Sequence, residues 1–265
     1  MLVDSHCHLD FPELQRDLDG VLARARGAGV ETMLAIGTRL SKFPGVRAIA
    51  EAHANVFCTV GIHPHEAANE TAAVDALLAL ADHPKVVGLG ETGLDYYYDK
   101  SPRAAQAENF RAHLRAAQES GLPVVIHTRD ADADTADLLE WARRELPQVT
   151  GVLHCFTSSL ELAHKAIDLG YLISISGIVT FKNAEDLRQT VRELPVERLM
   201  VETDSPFLSP VPVRGKSCEP SYVAHTARFV ANLKGVPVEE LAAVTTANFY
   251  RLFSRARRPG SAAAA

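Results

Sequence analysis

The chain has 265 residues, a formal net charge of −6 and a hydrophobic content of 47%. This length suits one large α/β barrel or two smaller domains, and the composition excludes collagen-like repeats and a generally disordered chain. The acidic balance excludes a protein that coats nucleic acid through bulk positive charge, but it does not exclude an enzyme that grips a short segment locally.

Eight short runs of apolar or β-branched residues predict β-strands. They cover residues 1–4, 32–36, 56–60, 86–89, 123–126, 150–153, 171–175 and 199–201. The segments between them are rich in alanine and carry scattered charges, which is typical of amphipathic helices. The predicted helices cover residues 18–28, 43–54, 73–81, 104–120, 136–145, 160–169 and 184–193, and then 221–233 and 238–253 after the last strand.

Alternating strands and helices predict a parallel sheet covered by helices, and eight units of about thirty residues favour closure into a barrel. A doubly wound open sheet is the competing architecture. It should have a glycine-rich phosphate turn after an early strand, but the first strand leads into His6-Cys7-His8. We therefore predict an α/β fold, a single-domain (β/α)8 TIM barrel over residues 1–254, followed by a flexible C-terminal tail over 255–265.

A possible metal ligand stands just past the C-terminal end of most predicted strands. In chain order these residues are His6, His8, His63, His65, Glu91, His127, His154 and Asp204. The C-terminal ends of all strands in a barrel meet at one rim, so these side chains should converge there. A single histidine at a strand end is more often a core or capping residue, but packing alone does not explain so many imidazoles and carboxylates at one rim.

Strand geometry predicts which way the side chains of His6, Cys7 and His8 point. Residues two apart in a strand point to the same side, so His6 and His8 should both face the barrel axis and Cys7 should point away. The same alternation should turn Cys155 away from the axis beside His154.

This mixture of ligands suits catalysis with two metal ions. Imidazoles suit zinc, manganese, iron, cobalt or nickel, and carboxylates can bridge two divalent ions. Two ions roughly 3.5–4 Å apart can lower the pKa of a shared water and stabilise the entering and leaving oxygens. A structural site needs only four ligands, so the excess of candidates favours two divalent ions per chain, among which Zn, Mn, Mg, Co and Ni are not distinguished by the sequence.

At these positions the sequence resembles the TatD family of metal-dependent deoxyribonucleases, within the wider amidohydrolase-like barrels. The matching segments span nearly the whole chain in the family's order. They are Asp4-Ser5-His6-Cys7-His8-Leu9-Asp10, Gly61-Ile62-His63-Pro64-His65, Gly90-Glu91-Thr92-Gly93-Leu94-Asp95-Tyr96-Tyr97, Val125-Ile126-His127-Thr128-Arg129, His154-Cys155-Phe156-Thr157, Glu202-Thr203-Asp204-Ser205-Pro206, and Arg214-Gly215-Lys216 followed by Glu219-Pro220.

The resemblance implies a set of metal ligands and two catalytic residues. The implied ligands are His6, His8, Glu91, His127, His154 and Asp204. By the same analogy Glu91 bridges the two ions, while Asp204 ligates one ion and holds the attacking water. The sequence departs from the family at Ser158, where glycine is usual, and at Cys218, where asparagine is frequent. Neither change affects an implied ligand, but the second puts the details of substrate contact in doubt.

Several other residues are candidates for contact with the substrate. His63 is predicted to donate a hydrogen bond to a phosphoryl oxygen, with capping of its loop as the alternative, and His65 could equally serve in either role. Arg129 is predicted to neutralise charge in the transition state, with a surface salt bridge as the alternative. Lys216, together with Arg214, would clamp phosphate if the loop after the last strand folds over the barrel mouth, with a solvated loop charge as the alternative.

Three consecutive tyrosines follow Glu91 closely. Bases of a single strand stack on such rings for about 1–3 kcal/mol each. Alternate residues point to different sides, so at most one or two of them can serve, and Tyr96 is the candidate. Asp95 is predicted to hold the loop that carries Glu91.

The sequence thus favours hydrolysis of DNA phosphodiester bonds through a two-metal-activated water, as an exonuclease on single-stranded or frayed ends. The first alternative is hydrolysis of an ester or amide at the same site, such as D-aminoacyl-tRNA deacylation, because an activated water does not reveal its electrophile. The second is a barrel kept as a binding or assembly module, with metal absent or purely structural.

The surroundings of the protein can also be predicted. The four cysteines form no C-x-x-C pair and are typical of reduced thiols in an intracellular protein. The sequence contains neither an apolar run of about 18 residues, as a transmembrane helix needs, nor a secretory signal. We therefore expect a cytoplasmic monomer with DNA ends as its partner and no membrane contact.

Overall fold

The computed structural model describes residues 1–258, in which the strands form one eight-stranded parallel sheet. The strands are β1 (Leu2–Cys7), β2 (Val30–Ala35), β3 (Val56–Val60), β4 (Val86–Asp95), β5 (Val124–Arg129), β6 (Gly151–Leu153), β7 (Leu172–Ile175) and β8 (Leu199–Val201). They are paired in the order of the sequence, and each neighbouring pair is parallel.

At least one helix follows every strand. The helices are α1 (Pro12–Gln15), α2 (Leu18–Gly27), α3 (Phe43–Ala52), α4 (Val74–Ala81), α5 (Arg103–Ser120), α6 (Asp132–Glu145), α7 (Leu160–Asp168), α8 (Glu185–Glu193), α9 (Val223–Lys234) and α10 (Val238–Leu252). Short 3-10 turns lie at Pro64–Glu66, Gly177–Thr180, Val196–Arg198 and Pro220–Tyr222. The predicted single-domain (β/α)8 barrel is confirmed, and α1 is a helix that the sequence patterns did not predict.

The first and last strands meet at the C-terminal rim. Cys7 forms a parallel bridge with Ser205, the amide of His8 donates to the carbonyl of Ser205 at 2.8 Å, and the amide of Asp204 donates to the carbonyl of His6 at 2.9 Å. These bonds nearly close the sheet into a barrel. They also place His6, His8 and Asp204 side by side.

Two apolar layers leave only one end of the barrel for polar side chains. The larger layer lies between the strands and the helices. The smaller layer fills the interior with residues from the first half of most strands, such as Val87 and Val125, and with Phe249, Phe253 and Ala256 from α10 and the segment after it. Because these aromatic rings plug the N-terminal end of the barrel, the polar interior residues gather at the C-terminal rim.

Strands β1, β4 and β5 each run at least three residues further than the sequence predicts. They continue because backbone pairing passes through polar residues, as in the pairing of Gly93 with His127. His6, Glu91 and His127 therefore lie within strands, and the prediction that they follow the strand ends was wrong. They still point into the same rim.

The tail predicted over residues 255–265 falls mostly outside the described residues, which end at 258. Within the described part, Arg255 Nη1 donates to the carbonyl of Ala81 at 2.8 Å and Ala256 is buried against the interior layer. Over residues 1–258, no helix combines the length and the apolar character that crossing a membrane requires.

Candidate metal centre

One buried carboxylate is surrounded by four imidazoles. Glu91 Oε1 lies 2.7 Å from His154 Nε2, 3.1 Å from His127 Nδ1 and 3.3 Å from His63 Nε2. Glu91 Oε2 lies 3.4 Å from His6 Nε2. The two oxygens of Glu91 therefore face different sets of histidines.

A second carboxylate stands beside the first histidine motif. Asp204 Oδ1 lies 3.3 Å from His8 Nε2 and 3.5 Å from His6 Nε2. The ring of His6 also stacks on that of His154, with 3.8 Å between centroids. The structure thus brings together all of the implied ligands: His6, His8, Glu91, His127, His154 and Asp204.

The start of the barrel is shaped to point both histidines of the first motif inwards. The pairing register of β1 shifts between Asp4 and Cys7, and Cys7 turns away, with its thiol directed at the carbonyl of Leu34. Asp4 accepts hydrogen bonds from the amide and hydroxyl of Thr203 at 2.8 and 2.6 Å, which ties β1 to the segment before Asp204. Burial raises the pKa of Asp4 to about 8, against the effect of these hydrogen bonds.

Cys155, beside His154, contacts the segment that follows β7. Its thiol donates to the Ser176 hydroxyl at 3.2 Å, and burial raises its pKa well above the usual range. Cys155 lies beyond the end of β6 and has a φ of +43°, so strand alternation does not determine its direction.

Two glycines allow β3 and β4 to approach closely beside Glu91. A Cβ at Gly61 would lie 2.4 Å from Gly90 Cα, and a Cβ at Gly90 would lie 2.5 Å from the carbonyl of Val125. Gly90 also has a φ of +118°, which side-chain-bearing residues rarely adopt. Gly61 is therefore needed where its segment touches Gly90, and Gly90 is needed where β4 touches β5.

A buried histidine of α5 holds the segment between Gly61 and His63. His113 Nε2 accepts the amide of Ile62 at 3.2 Å, and its Nδ1 donates to the carbonyl of Asn109 at 2.7 Å. This pattern requires a neutral ring, and burial lowers the pKa of His113 to about 4.

His113 should therefore make the fold sensitive to acid. Between pH 6.5 and 4 the unfolded state binds a proton at this ring and the folded state does not, so the free energy of unfolding falls as the pH falls. We expect the slope to be shallower in His113→Gln, with the difference from the wild type reaching about 3 kcal/mol at pH 4, because other buried rings such as His63 contribute to both proteins. Urea unfolding across this range, in chelator, measures it. The control is His164→Gln on the exposed side of α7, and equal slopes for all three proteins would contradict the assignment.

Two further carboxylates orient the histidines from behind. Glu202 Oε1 lies 3.3 Å from His154 Nδ1, and Asp95 Oδ2 lies 3.1 Å from His127 Nε2 and 2.8 Å from His65 Nε2. With those nitrogens donating, the other ring nitrogens of His154 and His127 face Glu91, and the surrounding carboxylates raise the pKa of both rings despite burial. A divalent ion would displace the proton of each and bind the freed nitrogen.

Sequence reasoning missed Glu202 and underestimated Asp95. Glu202 belongs to one of the matching motifs, but it was given no role there. Glu202 stands two residues before Asp204, and this spacing places two side chains on the same face of a strand. Asp95 was predicted to hold the loop. It does accept the amide of Tyr98 at 2.8 Å, but it also orients two imidazoles.

His63 differs from these rings in its protonated nitrogen. Its Nδ1 accepts the amide of His65 at 3.0 Å, so the neutral ring carries its proton on Nε2, which faces Glu91. Burial lowers the pKa of His63 to about 4, despite the attraction of Glu91, and this favours the neutral ring. The ligand atoms of His63, Glu91 and His127 lie within 4.8 Å of one another, but the tautomer favours His63 as a hydrogen-bond donor over a metal ligand.

The buried carboxylates of the site lack a permanently charged cationic partner within the described residues. Burial alone would raise the pKa of Glu91, but the neighbouring histidines His154, His63 and His6 hold it well below the usual range. Among residues 1–258, the ion-pair partners of Glu91, Asp95, Glu202 and Asp204 are all histidines, with no lysine or arginine. Buried carboxylates without a permanent positive partner are costly, and a divalent ion would compensate them.

Unsatisfied nitrogen atoms support the same conclusion. Both ring nitrogens of His6 and Nδ1 of His8 are buried without a hydrogen-bond partner, although the Nε2 atoms approach carboxylate oxygens. The ligand atoms of His6, His8 and Asp204 lie within 4.8 Å of one another. Imidazole and carboxylate together suit divalent transition metals, so these residues fit a metal ion.

The predicted substrate residues are arranged less simply. Tyr96 donates its hydroxyl to Asp134 at 2.5 Å and is covered by the guanidinium of Arg103, so it is not a free stacking surface. The neighbouring Tyr97 and Tyr98 are exposed, and Arg129 lies over their rings at 4.1 and 4.7 Å from the centroids.

The two basic residues of the long loop after β8 do not reach the centre. Arg214 lies over the ring of Phe181, 3.7 Å from its centroid. The side chain of Lys216 is exposed, and within the described range its ammonium group has no hydrogen-bond or ion-pair partner. Neither contacts a carboxylate of the site.

Comparison with known proteins identifies the family of the chain. The family model described as TatD related DNase matches residues 3–254. The chain belongs to the TatD family. It is 49% identical over 255 residues to the metal-dependent hydrolase YcfH of Escherichia coli K12, which covers 95% of both chains. It is 37% identical over 258 residues to the 3′-5′ ssDNA/RNA exonuclease TatD of Citrobacter koseri, covering 95% of this chain and 98% of that protein.

A solved structure of the same family has the same fold. The TatD homolog YJJV of Escherichia coli K12 superposes with a TM-score of 0.87 and 30% sequence identity, covering 96% of this chain and 98% of that one. The protein is a metal-dependent hydrolase of the TatD family, as the sequence motifs implied.

Proposed function

We propose that this TatD family hydrolase cleaves DNA phosphodiester bonds at single-stranded or frayed ends and uses two divalent ions. The observation that carries the proposal is the division of ligands around Glu91, whose Oε2 faces His6 and whose Oε1 faces His127 and His154. His6, His8 and Asp204 would hold one ion, and His127 and His154 the other. Glu91 would bind both.

The ions, when bound, supply Lewis acidity and lower the pKa of a water molecule shared between them. Asp204 would hold this water and accept its proton. Its side chain is 15% exposed, compared with 3% for Glu91 and 0% for Glu202, so it is the carboxylate of the centre that water reaches most easily. His8 and His6 keep Asp204 Oδ1 in place.

Other residues would bind the phosphate and the neighbouring nucleotides. His63, 15% exposed at its side chain, would donate from Nε2 to a phosphoryl oxygen. The guanidinium of Arg129 would offset negative charge developing near the rim. Lys216 would contact the backbone of the strand further from the cleaved bond, and Tyr97 or Tyr98 would take the stacking role first predicted for Tyr96.

The exonuclease name of the Citrobacter relative supports a nucleic acid substrate. To test it, chelator-treated protein is mixed with single strands labelled at the 3′ or the 5′ end and then reloaded separately with Zn, Mn, Mg, Co or Ni. We expect no cleavage before reloading and release of mononucleotides afterwards, with frayed ends preferred over blunt ones. Metal-restored hydrolysis of D-aminoacyl-tRNA without any cleavage of the strands would replace the proposal with an esterase activity.

A further inference from the structure

Exposed apolar side chains are concentrated at the mouth of the barrel. In residues 1–258, the exposed large hydrophobic residues other than Met1 are Tyr97, Tyr98, Phe207 and Val211. The tyrosines follow β4, and the other two follow β8. The three exposed rings, Tyr97, Tyr98 and Phe207, indicate a binding surface at this rim, and the aliphatic Val211 is not part of it.

Phe207 is part of an aromatic pair beside the metal centre. Its ring is 49% exposed and stands at 89° to that of Phe11, with 5.7 Å between centroids. The ring of His8 lies 4.9 Å from Phe11 and 6.3 Å from Phe207. The amide of Phe207 donates to the carbonyl of Asp204 at 3.0 Å, and this hydrogen bond keeps the Phe207 ring close to Asp204 and His8.

The pair and the tyrosines adjoin different ligand groups: the pair adjoins the group that faces Glu91 Oε2, and Tyr98 adjoins the group that faces Glu91 Oε1. Phe11 and Phe207 contact His8, which belongs to the group around Asp204. The ring of Tyr98 lies 5.4 Å from that of His65, which is bonded through Asp95 to His127. A phosphodiester placed at Glu91 therefore has an exposed aromatic surface beside each ligand group.

We propose that Phe11 and Phe207 form a stacking subsite for one of the two nucleobases that flank the cleaved phosphodiester. This inference rests on the proposed function. Phenylalanine rings carry no hydrogen-bonding groups, so the subsite accepts any base by its flat face. It accepts only an unpaired base, because a paired one is already stacked within a duplex, and this selects single-stranded or frayed ends.

The test combines protein variants with abasic substrates. Phe207→Ala removes the exposed ring, Phe207→Trp keeps an aromatic face, and Val211→Ala is a control on the same exposed loop. Each protein is assayed on a short single strand and on the same strand with an abasic residue at either side of the cleaved bond. For the wild type, Phe207→Trp and Val211→Ala, we expect one abasic position to lower kcat/KM about tenfold or more. For Phe207→Ala, the strand with all bases should already be slowed, and that abasic position should have little further effect.

A binding measurement without turnover completes the test. In chelator, a strand carrying 2-aminopurine at the sensitive position should lose fluorescence when it stacks on the wild type or Phe207→Trp, and it should lose much less on Phe207→Ala. Thermal unfolding checks that the variants fold, as expected for an exposed side chain. Cleavage with equal abasic sensitivity and equal quenching in Phe207→Ala and the wild type would overturn the subsite and leave the proposed function standing. A wild type that neither binds nor cleaves any strand would overturn both.

Discussion

We expect Glu91→Gln to lower kcat on labelled single strands by at least about 10³-fold, a loss of roughly 4 kcal/mol in transition-state stabilisation. Glutamine has the same shape, but its NH2 group, which cannot bind a cation, replaces one carboxylate oxygen. The substitution also removes the negative charge that four imidazoles surround. If Glu91 binds both ions, the variant should also lose at least one ion per chain. Elemental analysis after gel filtration measures that loss independently of turnover.

The matched control is Glu140→Gln, which removes an equal charge from the exposed ion pair between α6 and Lys165. Exposed ion pairs contribute about 0–1 kcal/mol, so this variant should keep wild-type activity and metal content. A Glu91→Gln protein with full metal content and activity within a few-fold of the wild type would contradict the role of Glu91.

The barrel could be predicted from sequence because its signals are local and repeated. Apolar runs separated by amphipathic segments determine a parallel sheet, and the number of units favours closure. The lengths of β1, β4 and β5 could not be predicted in the same way. Their last residues are polar, and they stay in the strands because the neighbouring strands and the buried rim supply hydrogen bonds that no local pattern records.

The convergence of the candidate ligands could likewise be predicted, because the C-terminal ends of barrel strands must meet. What each side chain does there depends on contacts between distant segments. The hydroxyl of Tyr96 is hydrogen-bonded to Asp134 on α6. Arg129, at the end of β5, lies over the rings of Tyr97 and Tyr98. Glu202 is important because His154, far away in the sequence, needs a partner for Nδ1.

The same dependence on distant contacts distinguishes donors from ligands among the histidines. His63 and His127 both approach Glu91 Oε1, and only the resemblance to the family, not the local pattern, separated a donor from a ligand in the sequence. The difference lies in the other ring nitrogen: that of His63 accepts a backbone amide, whereas that of His127 meets the carboxylate of Asp95. Under the proposed function, these partners would make His63 a hydrogen-bond donor and His127 a metal ligand.

The second large effect is expected at Asp204, whose backbone has a φ of +60°. Asparagine tolerates this left-handed conformation almost as well as aspartate, whereas alanine does not. Asp204→Asn should therefore keep the free energy of unfolding within about 1 kcal/mol of the wild type, measured without metal. It should nevertheless lower kcat by about 10²–10⁴-fold, because the amide cannot accept a proton from water and, as an uncharged ligand, would hold an ion less tightly.

Asp204→Ala separates the chemical role from the backbone role. It should lose as much activity as Asp204→Asn, and it should also unfold more easily than that variant by about 1 kcal/mol, because the strained conformation is no longer favoured by the side chain. Activity and stability thus change independently at one position: both variants lose the proton acceptor, and only one loses the conformational preference. Loss of a general base lowers kcat by far more than about threefold. If kcat of Asp204→Asn stayed within about threefold of the wild type, the proton acceptor would therefore have to be another residue. The roles proposed for the residues around Glu91 would then have to be reassigned.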